Sequence, residues 1–155
     1  MPVFYACQRC TACCQWPGQV TLNDREIRLI ARFMRIEETE FIEQYTHLNT
    51  TRSGLSLNNQ VNGACVFLKQ GDCSIQNVKP QQCKDFPNLW NFPDFENFCQ
   101  AVPMDMDTKT FREQVAKATG RSLHGKYVDK GSHHAEQPLS LRKSPLLKPL
   151  KKQKD

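Results

Sequence analysis

Apolar residues recur at helical spacing in three short stretches of this chain, and between them lie extended pieces, turns and loops. Ile27, Ile30, Ala31 and Met34 fall at i, i+3, i+4 and i+7, one face of a helix. Asn23 followed three residues on by Glu26 reads as a capping box at its start, with Thr21 as an alternative cap. A second short helix is predicted within residues 37–48, burying Phe41, Ile42 and Tyr45. The middle then changes character: two or three strand-like pieces are punctuated by Gly54, Gly63 and Gly71, and "KQGD" suits a hairpin turn between Cys65 and Cys73. Pro80 is placed to open a helical turn with Cys83 three residues in. The run "NLWNFPDFENFCQAVPM" has little period and reads as an ordered loop around a site. A last helix is predicted from about Thr108 to Ala118, with Asp107 as N-cap, Gly120 as stop, and Phe111, Val115 and Ala118 on one face.

These elements predict an α+β fold: a small, metal-stabilised single domain with short helices, a short hairpin and long ordered loops. It spans residues 1–120. Residues 121–155 keep no amphipathic period and are rich in proline and lysine, so a disordered basic tail is expected there. Charge follows the same division. Residues 1–120 carry 12 Lys and Arg against 13 Asp and Glu; residues 121–155 carry 9 against 3, so the net +5 comes from the tail. Its lysines are interleaved with leucine and proline rather than aromatics, so contact with nucleic acid or another polyanion would be weak.

Chemistry is concentrated in eight cysteines. Cys7, Cys10, Cys13 and Cys14 stand in the run "CQRCTACC", and Cys65, Cys73, Cys83 and Cys99 follow. The N-terminus has no apolar leader region and no stretch approaches 18 apolar residues, so a cytoplasmic protein without a membrane span is expected. In a reducing compartment such thiols bind metal rather than form disulfides. Cys7, Cys10 and Cys13 reproduce C-x2-C-x2-C, the spacing that wraps three corners of a [4Fe–4S] cluster. Structural zinc sites more often use two CxxC knuckles, and no second knuckle occurs here; a zinc site with scattered ligands stays open. Adjacent Cys13 and Cys14 allow two four-thiolate centres, or one centre plus structural thiols. Arg9, Lys79 and Lys84 flank cysteines and are placed to offset thiolate charge.

"CQRCTACC", "GACVFLKQGDCSI" and "KPQQCKDFP" together resemble the YkgJ-type cysteine-cluster family, the CxxCxxCC domain described as zinc- or iron-chelating. "VTLNDREIRLIARFM", "FIEQY" and Cys99 with Ala101 after it extend the resemblance from Cys7 to roughly Ala101. It implies that all eight cysteines are ligands. Thr11 stands where that family usually has glycine, and Lys79 and Lys84 replace arginines.

Other candidates carry less. His47, His124, His133 and His134 are the only histidines, and the last two sit in the tail. Asp85 reads as an ordinary surface acid, with an acceptor role near Cys83 as the alternative. Trp90, Phe92, Phe95 and Phe98 are placed to shield the site. No GxGxxG, Walker A or nucleophile-elbow pattern occurs. Three function classes remain: an iron–sulfur or iron protein in redox or metal handling with an unidentified protein or redox partner; a zinc-stabilised interaction module; and an enzyme. A similar cysteine segment occurs in larger flagellin lysine methylases, but this chain offers no cofactor loop, so catalysis on its own is not expected.

Overall fold

The structure, a computed structural model, describes residues 1–16 and 18–121. The tail expected beyond Gly120 therefore lies outside the described residues, apart from Arg121. The elements run β1 (Val3–Ala6), α1 (Ala12–Gln15), β2 (Thr21–Leu22), α2 (Asp24–Met34), α3 (Glu38–Tyr45), β3 (Thr46–Leu48), β4 (Leu55–Leu57), β5 (Leu68–Lys69), β6 (Asp72–Cys73), α4 (Gln81–Asp85), β7 (Val102–Asp105) and α5 (Thr108–Thr119). The fold is α+β, with helices and three small antiparallel sheets.

Helix α2 starts where the capping box places it. The Glu26 N–H donates to Asn23 Oδ1 at 2.8 Å and the Asn23 N–H to Glu26 Oε2 at 2.9 Å. Two orphan amides are satisfied reciprocally. Thr21, the alternative cap, belongs to β2 instead. The inward stripe of Ile27, Ile30 and Ala31 is buried against Phe41 of α3 and Leu57 of β4, in a sheet ordered β2-β4-β3. Phe41, Tyr45 and Phe67 stack with ring centroids 5.3–6.3 Å apart. This core contains no cysteine among its fully buried members.

A second core is aromatic. Phe86, Phe92 and Phe95 pack with Ala12 and Cys99, and Trp16, Trp90, Cys10 and Cys13 lie against them. The run 88–104 thus wraps the cysteines as expected, but it ends in a strand that the sequence hid. β7 pairs antiparallel with β1, Val3 opposite Asp105 and Ala6 opposite Val102. Pro103 inside β7 removes a ladder donor, which is why the segment lacks a strand signature. The side chain of Asn88 extends the clamp, accepting from the Tyr5 N–H at 2.8 Å and donating to the Tyr5 carbonyl at 3.0 Å.

Helix α5 has the expected caps: Asp107 accepts from the Thr110 N–H at 3.0 Å, and Gly120 closes it at φ 71°. Its buried face differs from the expectation. Val115 and Thr119 are buried, Phe111 is half-buried and Ala118 is exposed. Thr119 tolerates burial because its hydroxyl donates to the Val115 carbonyl at 2.7 Å.

Asp85 is likewise no surface acid. It is buried, accepts from Gln81 Nε2 at 2.8 Å, and takes a two-pronged contact from Arg121, the nearest at 2.8 Å. Gln81 also donates to the Thr119 carbonyl, so this cluster ties α4, and hence Cys83, to the end of α5. Removing a buried carboxylate with charge-assisted bonds leaves its donors unpaired. Asp85→Ala is expected to lower stability by about 2 kcal/mol in urea denaturation; a change within the ordinary scatter of surface substitutions would contradict the structural role.

Candidate metal centre

Four separate pieces of chain deliver the cysteines. Cys13 and Cys14 sit on α1, a single turn that begins at Thr11. Cys73 ends the β5–β6 hairpin, whose two turn residues, Gln70 at φ 51° and Gly71 at φ 75°, carry the positive φ values that tight two-residue hairpins require. Cys83 lies in α4, capped by Pro80 as the sequence predicts. Cys99 follows the short turn Phe95–Asn97, and the β1–β7 pairing brings it beside the N-terminal run. The Cys65 N–H donates to the Cys14 carbonyl at 2.7 Å, joining the N-terminal run to the segment that leads into the β5–β6 hairpin.

All eight cysteines line one cavity of about 50 Å³. That is several times the roughly 10–15 Å³ needed by one water. Phe67, Ile75, Pro80 and Phe86 complete its apolar wall. Outside that lining, Trp16 packs on the aromatic core against Trp90, centroids 5.0 Å apart. Gly18 permits this approach, since a Cβ there would fall 1.8 Å from the Trp16 ring.

Backbone amides are aimed at sulfur in a repeated way. Cys7, Cys10, Cys65, Cys73 and Cys99 each accept the N–H of the residue two positions on, namely Arg9, Ala12, Phe67, Ile75 and Ala101. Cys10 Sγ takes a further N–H from Gln100 at 3.4 Å. Donors directed at sulfur favour the thiolate, the form that ligates metal. In Cys14 and Cys83 the cysteine's own amide is held inside a helical turn, bonded to Thr11 and Pro80 respectively.

The thiols also bond one another. Cys14 shares its single S–H between Cys13 and Cys73, which raises its own pKa and lowers theirs, Cys73 to about 6. Cys99 plays the same part toward Cys10, drawing it down to about 5 while its own thiol is held up. Burial pushes Cys65 and Cys83 up. Lys79 is the cation that favours thiolate at Cys13 and Cys73, one of the three basic residues expected near the cluster. Arg9 instead pairs with Asp72 at 2.5 Å, both at the cavity wall. Lys84 occupies the last turn of α4.

Among the described residues, no three His, Cys, Asp or Glu side chains already form a group that could hold one metal ion. Five of the sulfurs are in contact around a shared space, Cys10 with Cys99 and Cys14 with Cys13 and Cys73, and ligation would exchange those contacts for bonds to metal. The donor set fits such a centre. It is soft and all-sulfur apart from the Arg9-bound Asp72, which suits zinc or iron. His47 contributes nothing to it, its Nδ1 being 2.9 Å from Asn58 Oδ1. His124, His133 and His134 lie outside the described residues.

Thr11 carries a local cost. It is β-branched yet sits at φ 67°, a left-handed conformation disfavoured for such side chains. Thr11→Gly is expected to raise stability by about 1 kcal/mol without changing metal content. Thermal melts and metal analysis of the variant check this, and an unchanged or lower melting temperature would contradict it.

Sequence reasoning missed β7, the Asn88 clamp and the Arg121–Asp85 contact. Each depends on partners far apart in the chain, and only Pro103 left a local trace, one that pointed away from a strand. No solved structure matches this chain. Residues 6–100, which contain all eight cysteines, match the family CxxCxxCC, described as a "Putative zinc- or iron-chelating domain". With that match covering most of its length, the chain belongs to the CxxCxxCC family.

Proposed function

We propose that this protein binds iron through Cys7, Cys10, Cys13, Cys14, Cys65, Cys73, Cys83 and Cys99, as an iron–sulfur cluster or as iron ions, and works in redox or metal handling. One observation carries the reading: eight thiols from four stretches of chain converge on a single apolar-walled cavity. A lone tetrahedral zinc uses four ligands, so eight sulfurs favour a centre of more than one metal atom. The C-x2-C-x2-C spacing of Cys7, Cys10 and Cys13 favours iron–sulfur chemistry. Phe86 lines the cavity and is backed by Phe92 and Phe95, an apolar surround of the kind that tunes the potential of a bound centre. The eight free thiols suit a reducing compartment such as the cytoplasm. Among the described residues, no helix is long and apolar enough to cross a membrane.

A second reading, a zinc-stabilised interaction module without catalysis, draws support from α2. Leu29 and Phe33, one turn apart, are 42% and 43% exposed on its outer face. Anaerobic purification separates the two. Broad visible absorption with acid-labile sulfide is expected from the iron reading; colourless, sulfide-free protein containing zinc would overturn it in favour of the module.

The unit proposed to hold the metal is residues 1–120, and Arg121 binds Asp85 at its edge. Truncation after Arg121 is expected to preserve fold and metal content and to weaken salt-sensitive polyanion binding, since the net +6 of residues 121–155 lies almost wholly beyond that point. Loss of metal on that truncation would bring His124, His133 or His134 into the ligand set.

A further inference from the structure

Helices α2 and α3 are joined by residues 35–37 and expose opposite charge. Ile27, Ile30 and Ala31 of α2 and Phe41 of α3 bury into one core, which leaves the other side of each helix in solvent. On α2 and its C-cap that side is basic: Arg25, Arg28, Arg32 and Arg35 are all exposed. Steps of three, four and three residues place them in a row along the helix. Leu29 and Phe33 lie beside the row and are exposed as well. On α3 and its N-cap, Glu37, Glu38, Glu40 and Glu43 are all exposed.

The segregation is sharp. Residues 24–35 hold four arginines against Asp24 and Glu26, a net of +2, and residues 36–45 hold four glutamates and no basic residue, a net of −4. Glu26 is already engaged, accepting the N–H groups of Asn23 and Gln81. Although the helices are neighbours, none of these arginines pairs with any of these glutamates. Among the described residues the ion pairs are Arg9–Asp72 and Arg121–Asp85.

A nucleic acid or an anionic membrane would be drawn to the arginines and repelled by the glutamates next to them. An acidic protein segment would meet the same repulsion. A second copy of this chain presents both signs at once. We propose that the chain self-associates through this face as a two-fold dimer, α2 of each copy lying on α3 of the other. A two-fold interface repeats each contact, so both arginine rows meet glutamates. Leu29 and Phe33 supply the apolar part of the contact. Two exposed apolar side chains per copy bury little area, so the dimer is weak and salt-sensitive. None of these residues lines the cysteine cavity, so the interface and the metal site are separate.

Sedimentation equilibrium of the full-length protein tests this, with reductant present so that exposed Cys7 cannot bridge chains. In about 0.05 M NaCl the mass is expected to climb from one chain toward two as concentration rises, and about 0.5 M NaCl to weaken association roughly tenfold. Arg25→Glu with Arg28→Glu, and separately Glu40→Arg with Glu43→Arg, change only exposed positions, and each double variant is expected to stay monomeric. Mixed in equal amounts, the two are expected to recover the wild-type association, because one α2–α3 contact keeps its native signs and the other has both reversed. Metal content is expected to be the same in all samples. Wild-type protein that sediments as one chain at every concentration overturns the proposal with no variant needed. Association that survives either double substitution, or a mixture of folded variants that stays monomeric, overturns it as well. Capture of monomeric wild type by phosphatidylserine vesicles, lost in Arg25→Glu with Arg28→Glu, would give the face to a membrane surface instead.

Discussion

Removing the metal under reducing conditions is expected to collapse the aromatic half of the domain and leave the α2–α3 half largely helical. The two halves depend on different forces. The core around Ile27, Ile30, Phe41 and Phe67 is apolar packing on a small sheet and needs no ligand. The other half is built from short turns, the β1–β7 strand pair and loops, with Cys99 among its buried core residues. Such segments bury too little apolar area to offset their ordering entropy, and ligand bonds supply the difference. Structural zinc contributes about 10–16 kcal/mol in small metal-folded domains. Even a third of that would shift the melting temperature by roughly 20 °C. Both tryptophans, Trp16 and Trp90, lie in the metal-dependent half and contact each other, so near-UV circular dichroism reports on it selectively. That signal should vanish with chelation while much of the far-UV helical signal stays. An apo form with unchanged near-UV spectrum and melting would remove the idea that metal organises this half.

Cys14→Ser is expected to be the most damaging single cysteine substitution. Its thiol touches both Cys13 and Cys73, and its carbonyl accepts the Cys65 N–H, so it links three of the other cysteines. Serine keeps the backbone contact and removes the sulfur, which isolates ligation from folding geometry. Altering groups around a metal ligand typically costs 10–100-fold in affinity. Replacing a central ligand should cost at least about 100-fold on that scale. Competition titration with a chelator of known affinity measures it. Wild-type affinity in Cys14→Ser, alongside lost affinity in Cys7→Ser, would contradict that ranking.

How much of this was legible in the sequence depends on the range of the contacts involved. Helix α2 and its cap were written in neighbouring residues, Asn23, Glu26 and the stripe from Ile27, and the structure has them where expected. The same holds for Pro80 before α4 and for the "KQGD" turn. The convergence of eight cysteines followed from the family resemblance rather than from any period. Strand β7 was illegible because strand pairing is a long-range choice and Pro103 argues locally against it. The buried face of α5 was misjudged by one position: Thr119 is buried with its hydroxyl on the Val115 carbonyl and its own carbonyl accepting from Gln81, thirty-eight residues away. Asp85 looked like a surface acid because Arg121 is thirty-six residues distant. The approach of Cys10 to the Cys99–Gln100 segment was equally hidden, since the Gln100 N–H meets Cys10 Sγ across ninety residues.

Convergence of the cysteines on bound metal is tested most directly by counting, in one anaerobic sample, metal atoms per chain and thiols open to alkylation. Elemental analysis gives the first and intact-mass spectrometry after treatment with iodoacetamide gives the second. More than one metal atom per chain is expected, with nearly all eight cysteines protected until chelator is added and then alkylated together. Metal-free protein whose eight thiols alkylate at once, with no change on adding chelator, would contradict a cysteine-held metal centre.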